Sequence, residues 1–315
     1  MTSRGRAASR QTRSLPERFV RDVRKNKYIY LMAIPMLAYY LIFHYMPMYG
    51  ASIAFKNYVP KLGIMGSPWV GLYHFKSFFN NVYFSRLLTN TLALSLLNLL
   101  FGFPAPIILA ILLNEVRQNW FRRTVQTISY LPHFISTMVI CGMIVDFTAS
   151  SGVVNDLLAI FGVKRQTMLL NPALFRPIYI ISEIWQSVGW GSIVYLAALT
   201  AVDPQLYEAA RMDGAGKLRQ IWHVTLPGIA PTIVVMLILK LGAMMSIGSD
   251  KILLLYNANT YATADVISTF VYRKGLLEAN YSFSTAVGLF NSVINFALVL
   301  MANLISRKVN DTSLW

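Results

Sequence analysis

Apolar residues gather in six long runs, near 28–50, 87–113, 124–148, 177–202, 229–248 and 282–305, with polar connections between them. Each run approaches the roughly 20 residues a helix needs to cross a hydrocarbon core, so the pattern predicts six membrane-spanning helices. The first, YIYLMAIPMLAYYLIFHYMPMYG, follows a basic tail. It exceeds the roughly 7–15-residue apolar core of a cleaved leader and reads as a retained anchor. Pro35, Pro104, Pro106 and Pro132 fall inside runs, where a bundle tolerates the kinks they cause. Gly189, Gly191, Gly242 and Gly288 suit close helix contacts.

Composition supports this reading. Hydrophobic residues make up 56% of the 315 and charged ones 13%, against roughly 45–50% and 25% in soluble domains. Lone Cys141 lies in an apolar run, so one chain offers neither a disulfide nor a multi-cysteine metal site. The histidines His44, His74, His133 and His223 are scattered, without an H-E-x-x-H motif or a nucleophile beside a base. No catalytic or metal site is therefore expected, and a membrane enzyme is disfavoured. A secondary transporter is disfavoured by the lack of a convincing repeat between the two halves.

Lysine and arginine number seventeen on one side of the six-helix arrangement, including nine in the tail, and ten on the other. This bias puts both termini in the cytoplasm. Residues 1–27 form a basic cytoplasmic tail. In it LPERFVRDVRKNK spaces Leu15, Phe19 and Val23 four apart among arginines, which suits an interfacial helix or, alternatively, a solvated basic arm. Residues 28–305 make the transmembrane domain and 306–315 a cytoplasmic C-terminal tail.

The most polar passage of the back half is EAARMDGAGKLRQIWHVTLP, Glu208–Pro227. Its GAGK is not a phosphate loop: Arg211 stands where the first glycine belongs, and Leu218 where a hydroxyl residue should hold magnesium. A docking element fits better. Asp203 and Pro204 make a good helix start, Ala209 and Ala210 leave a surface of low bulk, and Gly214 permits a bend. Residues 217–223 read as a second short turn, which Pro227 stops while starting the next span.

The spacing from Glu208-Ala209-Ala210 to Gly214 and on to Val224-Thr225-Leu226-Pro227 resembles the EAA loop of permease subunits of binding-protein-dependent ABC importers. Val224 replaces the family's usual isoleucine. Further stretches, among them WVGLYHF, GFPAPIILAILLNE, QTISYLPHFIS and ADVISTFVYRKGL, look like the branch that imports polysaccharides and complex oligosaccharides. Ser249 and Asp250 depart from the phenylalanine and glutamate more usual there.

The resemblance implies an all-α, six-helix type I ABC importer permease fold. It implies an EAA coupling loop over 203–227, with Tyr207, Glu208, Ala209, Ala210, Met212, Asp213, Gly214, Leu226 and Pro227 coupling the chain to an ATPase. The partners implied are a second permease, as a heterodimer, two cytoplasmic ATPases that hold the ATP and magnesium, an extracytoplasmic solute-binding protein and the bilayer. No cofactor on this chain and no nucleic acid is implied. The setting is a bacterial inner membrane.

Glu183, about 9 Å into its helix at about 1.5 Å per residue, and Lys240 should avoid lipid. They are expected to pair with each other, to line the solute path, or to snorkel. Trp185, Trp190, Tyr195, Asn291 and Asn295 are candidates to contact sugar by stacking and hydrogen bonding. Alternatively, the tryptophans anchor at the interface and the asparagines tie helices together. Outer segments hold ten basic and five acidic residues. That suits either an acidic, uronate-type saccharide or an acidic patch on the binding protein.

Overall fold

The computed structural model describes residues 22–310, with side chains given to 308. Most of the predicted tail helix lies outside the described residues; 22–25 are helical. Among the described residues there is no strand, and the one extended pairing is a lone bridge between Lys56 and Trp69. The chain divides into two units, Met1–Ser52 and Ile53–Trp315. The first carries most of helix α1, Lys27–Phe55. Tyr39, Phe43, Tyr40 and His44 lie along it, and the i,i+4 pairs Tyr39–Phe43 and Tyr40–His44 have ring centroids 5.2 and 5.1 Å apart.

The second unit contains α2 (Tyr73–Phe79), α3 (Phe84–Glu115), α4 (Asn119–Tyr130), α5 (Thr137–Thr148), α6 (Val153–Ile160) and α7 (Pro172–Thr200). After these come α8 (Pro204–Met212), α9 (Lys217–Gly242), α10 (Ser249–Leu255), α11 (Ile267–Tyr272) and α12 (Tyr281–Asn310). Helix α7 packs along α3 and against α9, and α9 packs on α12. Three apolar clusters fill the interior. One joins Leu94, Ile140, Phe175, Tyr179 and Ile252, a second Phe78, Leu87, Phe270 and Phe283, and a third Ile107, Tyr195, Leu199 and Ile229.

Among the described residues, five helical stretches are long and apolar enough to cross a membrane: Lys27–Phe55, Phe84–Glu115, Thr137–Ile160, Lys217–Gly242 and Tyr281–Lys308. The expected fourth span, 177–202, is the 29-residue α7, which is long enough but not among those five. It carries Arg176, Glu183 and Gln186, and it buries Phe175, Tyr179, Gly189, Ser192 and Leu199 against protein. Polar groups are tolerable on a helix whose neighbours can satisfy them.

The expected third span, 124–148, is not one helix. Helix α4 ends at Tyr130, and a tight turn, Leu131–Phe134, carries Pro132 where no amide proton is needed. Helix α5 restarts under a cap in which the Ser136 hydroxyl accepts from the Val139 amide at 3.4 Å.

Three of the prolines in the other helices share a device. Wide π-turns at Leu41–Tyr45, Asn98–Gly102 and Ile221–Thr225 each end two residues before a proline: Pro47, Pro104 and Pro227. In each, the residue preceding the proline donates its amide to the carbonyl five back: Met46 to Leu41, Phe103 to Asn98 and Leu226 to Ile221. A proline ring clashes with the carbonyl of the preceding turn, and the wider turn relieves that crowding while the chain stays helical. The expectation that Pro227 halts a short turn is thus corrected, because α9 runs through it from Lys217.

The glycines of α7 set its approach to its neighbours. A Cβ on Gly189 would overlap the backbone carbonyl of Ser129, and one on Gly191 would lie 3.0 Å from Pro106 Cγ. Gly242 is similarly filled by Val299, whereas Gly288 faces open space, contrary to expectation. Gly189→Ala should therefore lower the stability of the purified protein in detergent by about 1–3 kcal/mol. Gly288→Ala should leave it unchanged or slightly raised, with thermal unfolding as the measurement.

Candidate functional site

Two places bring together residues singled out from the sequence: a polar cavity in the bundle and the exposed segment after α7. The cavity, of about 160 Å³, is lined by Ser95, Asn98, Tyr179, Glu183, Lys240 and Ser246 among others. Both predicted ionisable residues face it. Glu183, however, pairs with Lys251, not with Lys240.

Lys251 Nζ lies 3.2 Å from Glu183 Oε2 and donates to Gln186 Oε1 at 3.1 Å. Its side chain is only 4% exposed and sits 5.8 Å from the centre of the Tyr179 ring. Helix α10 therefore presents a buried cation to the carboxylate of α7, which an apolar interior would otherwise penalise. Gly248 allows α10 to start there: its φ is 29°, and a Cβ would collide with the Tyr179 hydroxyl.

The other candidates separate. Tyr195, 3% exposed, belongs to the apolar cluster with Ile107 and Leu199 and does not line the polar cavity. Trp185 lines a different, apolar cavity of about 420 Å³ with Met143, Phe147 and Ile181. Trp190 stacks on His133, centroids 4.7 Å apart and planes 3° apart. With Gly189 and Gly191 pressed on neighbouring chain, Trp190 projects from between two contact points.

Asn295 ties α12 to the turn after α9. It accepts from the Met245 amide at 2.9 Å and donates to Ser246 Oγ at 2.9 Å. Asn291 reaches the same hydroxyl at 3.5 Å, and its own Oδ1 is buried without a partner among the described residues. The helix-tying alternative for the asparagines is the arrangement found.

The segment after α7 is built as its sequence suggests. Asp203 Oδ1 accepts from the Gln205 amide at 2.9 Å, with Pro204 at the first helical position. At the other end, the Gly214 amide donates to Arg211 and the Ala215 amide to Ala210. These paired bonds close the helix with Gly214 in the left-handed region at φ 73°. No residue of α8 is fully buried. Glu208, Ala209 and Asp213 are exposed, and Met212 is 88% exposed, while Ala210 is half-buried.

Tyr207 turns the other way, packing into the cluster of Ile107, Tyr195 and Ile229, with its hydroxyl 3.1 Å from Thr225 Oγ1. Leu226 packs in that cluster as well, while Pro227 stays exposed. An ion pair between Lys217 and Glu115 joins the loop to the end of α3.

A second charged cluster escaped sequence reading. Asp265, fully buried, receives both Arg273 terminal nitrogens at 2.9 and 2.7 Å, the Thr269 hydroxyl at 2.8 Å, and Arg86 at 3.4 Å. Burial lowers the proton affinity of Arg273, but the hydrogen bonds to Asp265 and Tyr256 reverse that, and its pKa ends above the ordinary value. Around it, Arg176 donates to Asn90 Oδ1 at 2.8 Å, and Asn90 donates to the Asp265 carbonyl at 2.9 Å. The network pins the segment before α11 to α3 and α7. The sequence signal was present only as an aspartate eight residues before an arginine, a spacing that fits no regular helix pair.

The chain has clear relatives. The family described as "Binding-protein-dependent transport system inner membrane component" matches residues 102–311. The polygalacturonan/rhamnogalacturonan transport system permease protein YteP of Bacillus subtilis (strain 168) is 48% identical over 292 residues, covering 92% of this chain and 91% of the relative. Protein LplB of the same organism is 47% identical over 294 residues, covering 93% and 92%. A crystal structure of a bacterial ABC transporter involved in the import of the acidic polysaccharide alginate superposes with a TM-score of 0.87 at 46% identity, covering 93% of this chain and 99% of that one. A bacterial alginate ABC transporter in complex with an alginate pentasaccharide-bound periplasmic protein superposes with the same TM-score of 0.87 at 46% identity, covering 93% of this chain and 99% of that one.

Asp265→Asn should lower stability by at most about 3 kcal/mol, because it leaves the partly buried Arg273 guanidinium, 21% exposed, without its counter-ion. Arg86→Gln, at a side chain 34% exposed, should cost under about 1 kcal/mol. Thermal unfolding of the two variants in detergent checks the contrast.

Proposed function

The chain belongs to the family of binding-protein-dependent transport system inner membrane components, and from that premise we propose that it imports an acidic oligosaccharide or polysaccharide, driven by an ATPase docked on α8. It is a membrane-spanning permease subunit of a sugar ABC importer and not an enzyme. In this reading the chain lies in a bacterial cytoplasmic membrane with six spans, α7 among them, and with both termini inside. It pairs with a second permease above two ATPases that carry ATP and magnesium. An extracytoplasmic binding protein delivers the solute.

One observation carries the docking assignment: α8 is rooted and free at once. Tyr207 fastens one face into the chain's own core, while Glu208, Ala209 and Met212 offer a small, partly apolar surface to another protein. Displacement of that surface passes through Tyr207 to α9 and through the Asp203 cap to α7. The acidic solute is supported by the names of two relatives, one a transporter of galacturonans and one of alginate. The net positive outer segments agree with it.

In reconstituted importer, Glu208→Ala and Gly214→Asp should reduce solute uptake at least about tenfold while the complex inserts and folds. Gly214 faces open space, so the aspartate acts through its left-handed φ and its added charge, at a conformational cost of about 1–2 kcal/mol. Normal uptake in both variants would remove α8 as the coupling element. Uptake that persists without ATP but with an ion gradient would point to a secondary transporter. Equal uptake of an oligouronate and its carboxyl-reduced, neutral counterpart by the unaltered importer would refute the acidic solute.

A further inference from the structure

We propose that Lys240 is the group that receives a carboxylate of the passing saccharide, and that the Glu183–Lys251 pair keeps it available for that purpose. The inference rests on the acidic-solute reading and assigns it to one side chain. The cavity of about 160 Å³ contains one carboxylate, Glu183, and one exposed ammonium, Lys240. Taken alone, those charges would cancel. They do not, because Glu183 is already committed to Lys251, whose side chain is 4% exposed and meets it at 3.2 Å. Gln186 takes a second Lys251 proton at 3.1 Å, which fixes the lysine in that position.

The cavity is therefore left with one uncompensated positive charge. Among the described residues the Lys240 ammonium makes no ion pair or hydrogen bond; its backbone carbonyl is engaged by the Ala243 amide at 3.2 Å. It lies in the last turn of α9, where the negative end of the helix favours a cation without neutralising it. A second donor converges on the same space. Ser246 Oγ accepts from Asn295 at 2.9 Å, which leaves its own proton free to point at the cavity that Ser246 lines. An ammonium and a hydroxyl facing one polar space match a carboxylate oxygen pair, and charge-assisted hydrogen bonds are about twice as strong as neutral ones. A neutral hexose would engage the hydroxyl but gain nothing from the charge. Glu183 and Lys251 are positioning residues here and touch no solute.

The test uses the complete importer in proteoliposomes and compares uptake of an oligouronate with that of its carboxyl-reduced counterpart. The unaltered importer should prefer the acid, and Lys240→Gln should reduce that preference at least about tenfold. Lys240→Arg should retain it. Lys251→Met should also lose it, because the freed Glu183 carboxylate then takes Lys240. Adding Glu183→Gln to Lys251→Met should restore it.

If Lys240→Gln assembles poorly, Lys240→Cys can be labelled after assembly, since Cys141, the single native cysteine, is buried. An ethylammonium label should return the preference and a sulfonatoethyl label should not. Preference that survives Lys240→Gln, or returns equally with both labels, overturns the role of Lys240 and leaves the acidic-solute reading standing. Absence of preference in the unaltered importer overturns both.

Discussion

A cation buried in a bundle must meet a carboxylate there, and the meeting of Lys251 with Glu183 governs the middle of this bundle. It brings α10, a short helix after a sharp glycine turn, against α7. It positions Tyr179 over the same lysine and, with Gly248, closes the wall of the polar cavity. Six residues further along α7, Gly189 brings the helix onto the backbone of Ser129. The two contacts fix the height and the rotation of α7.

That fixing gives α7 mechanical meaning. The helix is about 43 Å long at about 1.5 Å per residue. One end is capped by Asn171, and the other passes through the Asp203 cap into α8. Because Tyr207 is rooted among Ile107, Tyr195 and Ile229, a push on the exposed face of α8 cannot be absorbed by a loose loop. It reaches the ends of α7 and α9, the two helices that supply Glu183 and Lys240 to the cavity. The exposed face of α8 and the polar cavity are thus joined by two helices.

Local chemistry was legible in the sequence where it depends on neighbours along the chain. The Asp203–Pro204 start, the Gly214 stop and the exposed Ala209 face follow from residue types at fixed spacing, and the structure has them. Partners remote in sequence were not legible. Glu183 and Lys251 are 68 positions apart, and Lys240 was the nearer candidate by hydropathy because it sits in a run, while Lys251 begins one that looked like an outer loop. The Asp265 cluster was hidden for the same reason. The division of 124–148 was half visible in Pro132, and what decided it was the Ser136 cap, which turns a kink into a new helix. Tyr195 looked like a sugar-binding group by type, but its face of α7 points into the core.

The π-turns that precede Pro47, Pro104 and Pro227 reach beyond the prolines they accommodate. A straight helix advances about 100° per residue, and each wide turn accommodates one residue more than that rhythm allows. Everything downstream is rotated out of phase with everything upstream, so a helical wheel drawn through such a turn assigns sides wrongly. In α9 the slip falls between the Lys217 end, tied to Glu115, and the stretch bearing Lys240. The azimuth at which Lys240 enters the bundle is thus set by a wedge at the base of its helix, and straightening that wedge would swing the ammonium away from the cavity.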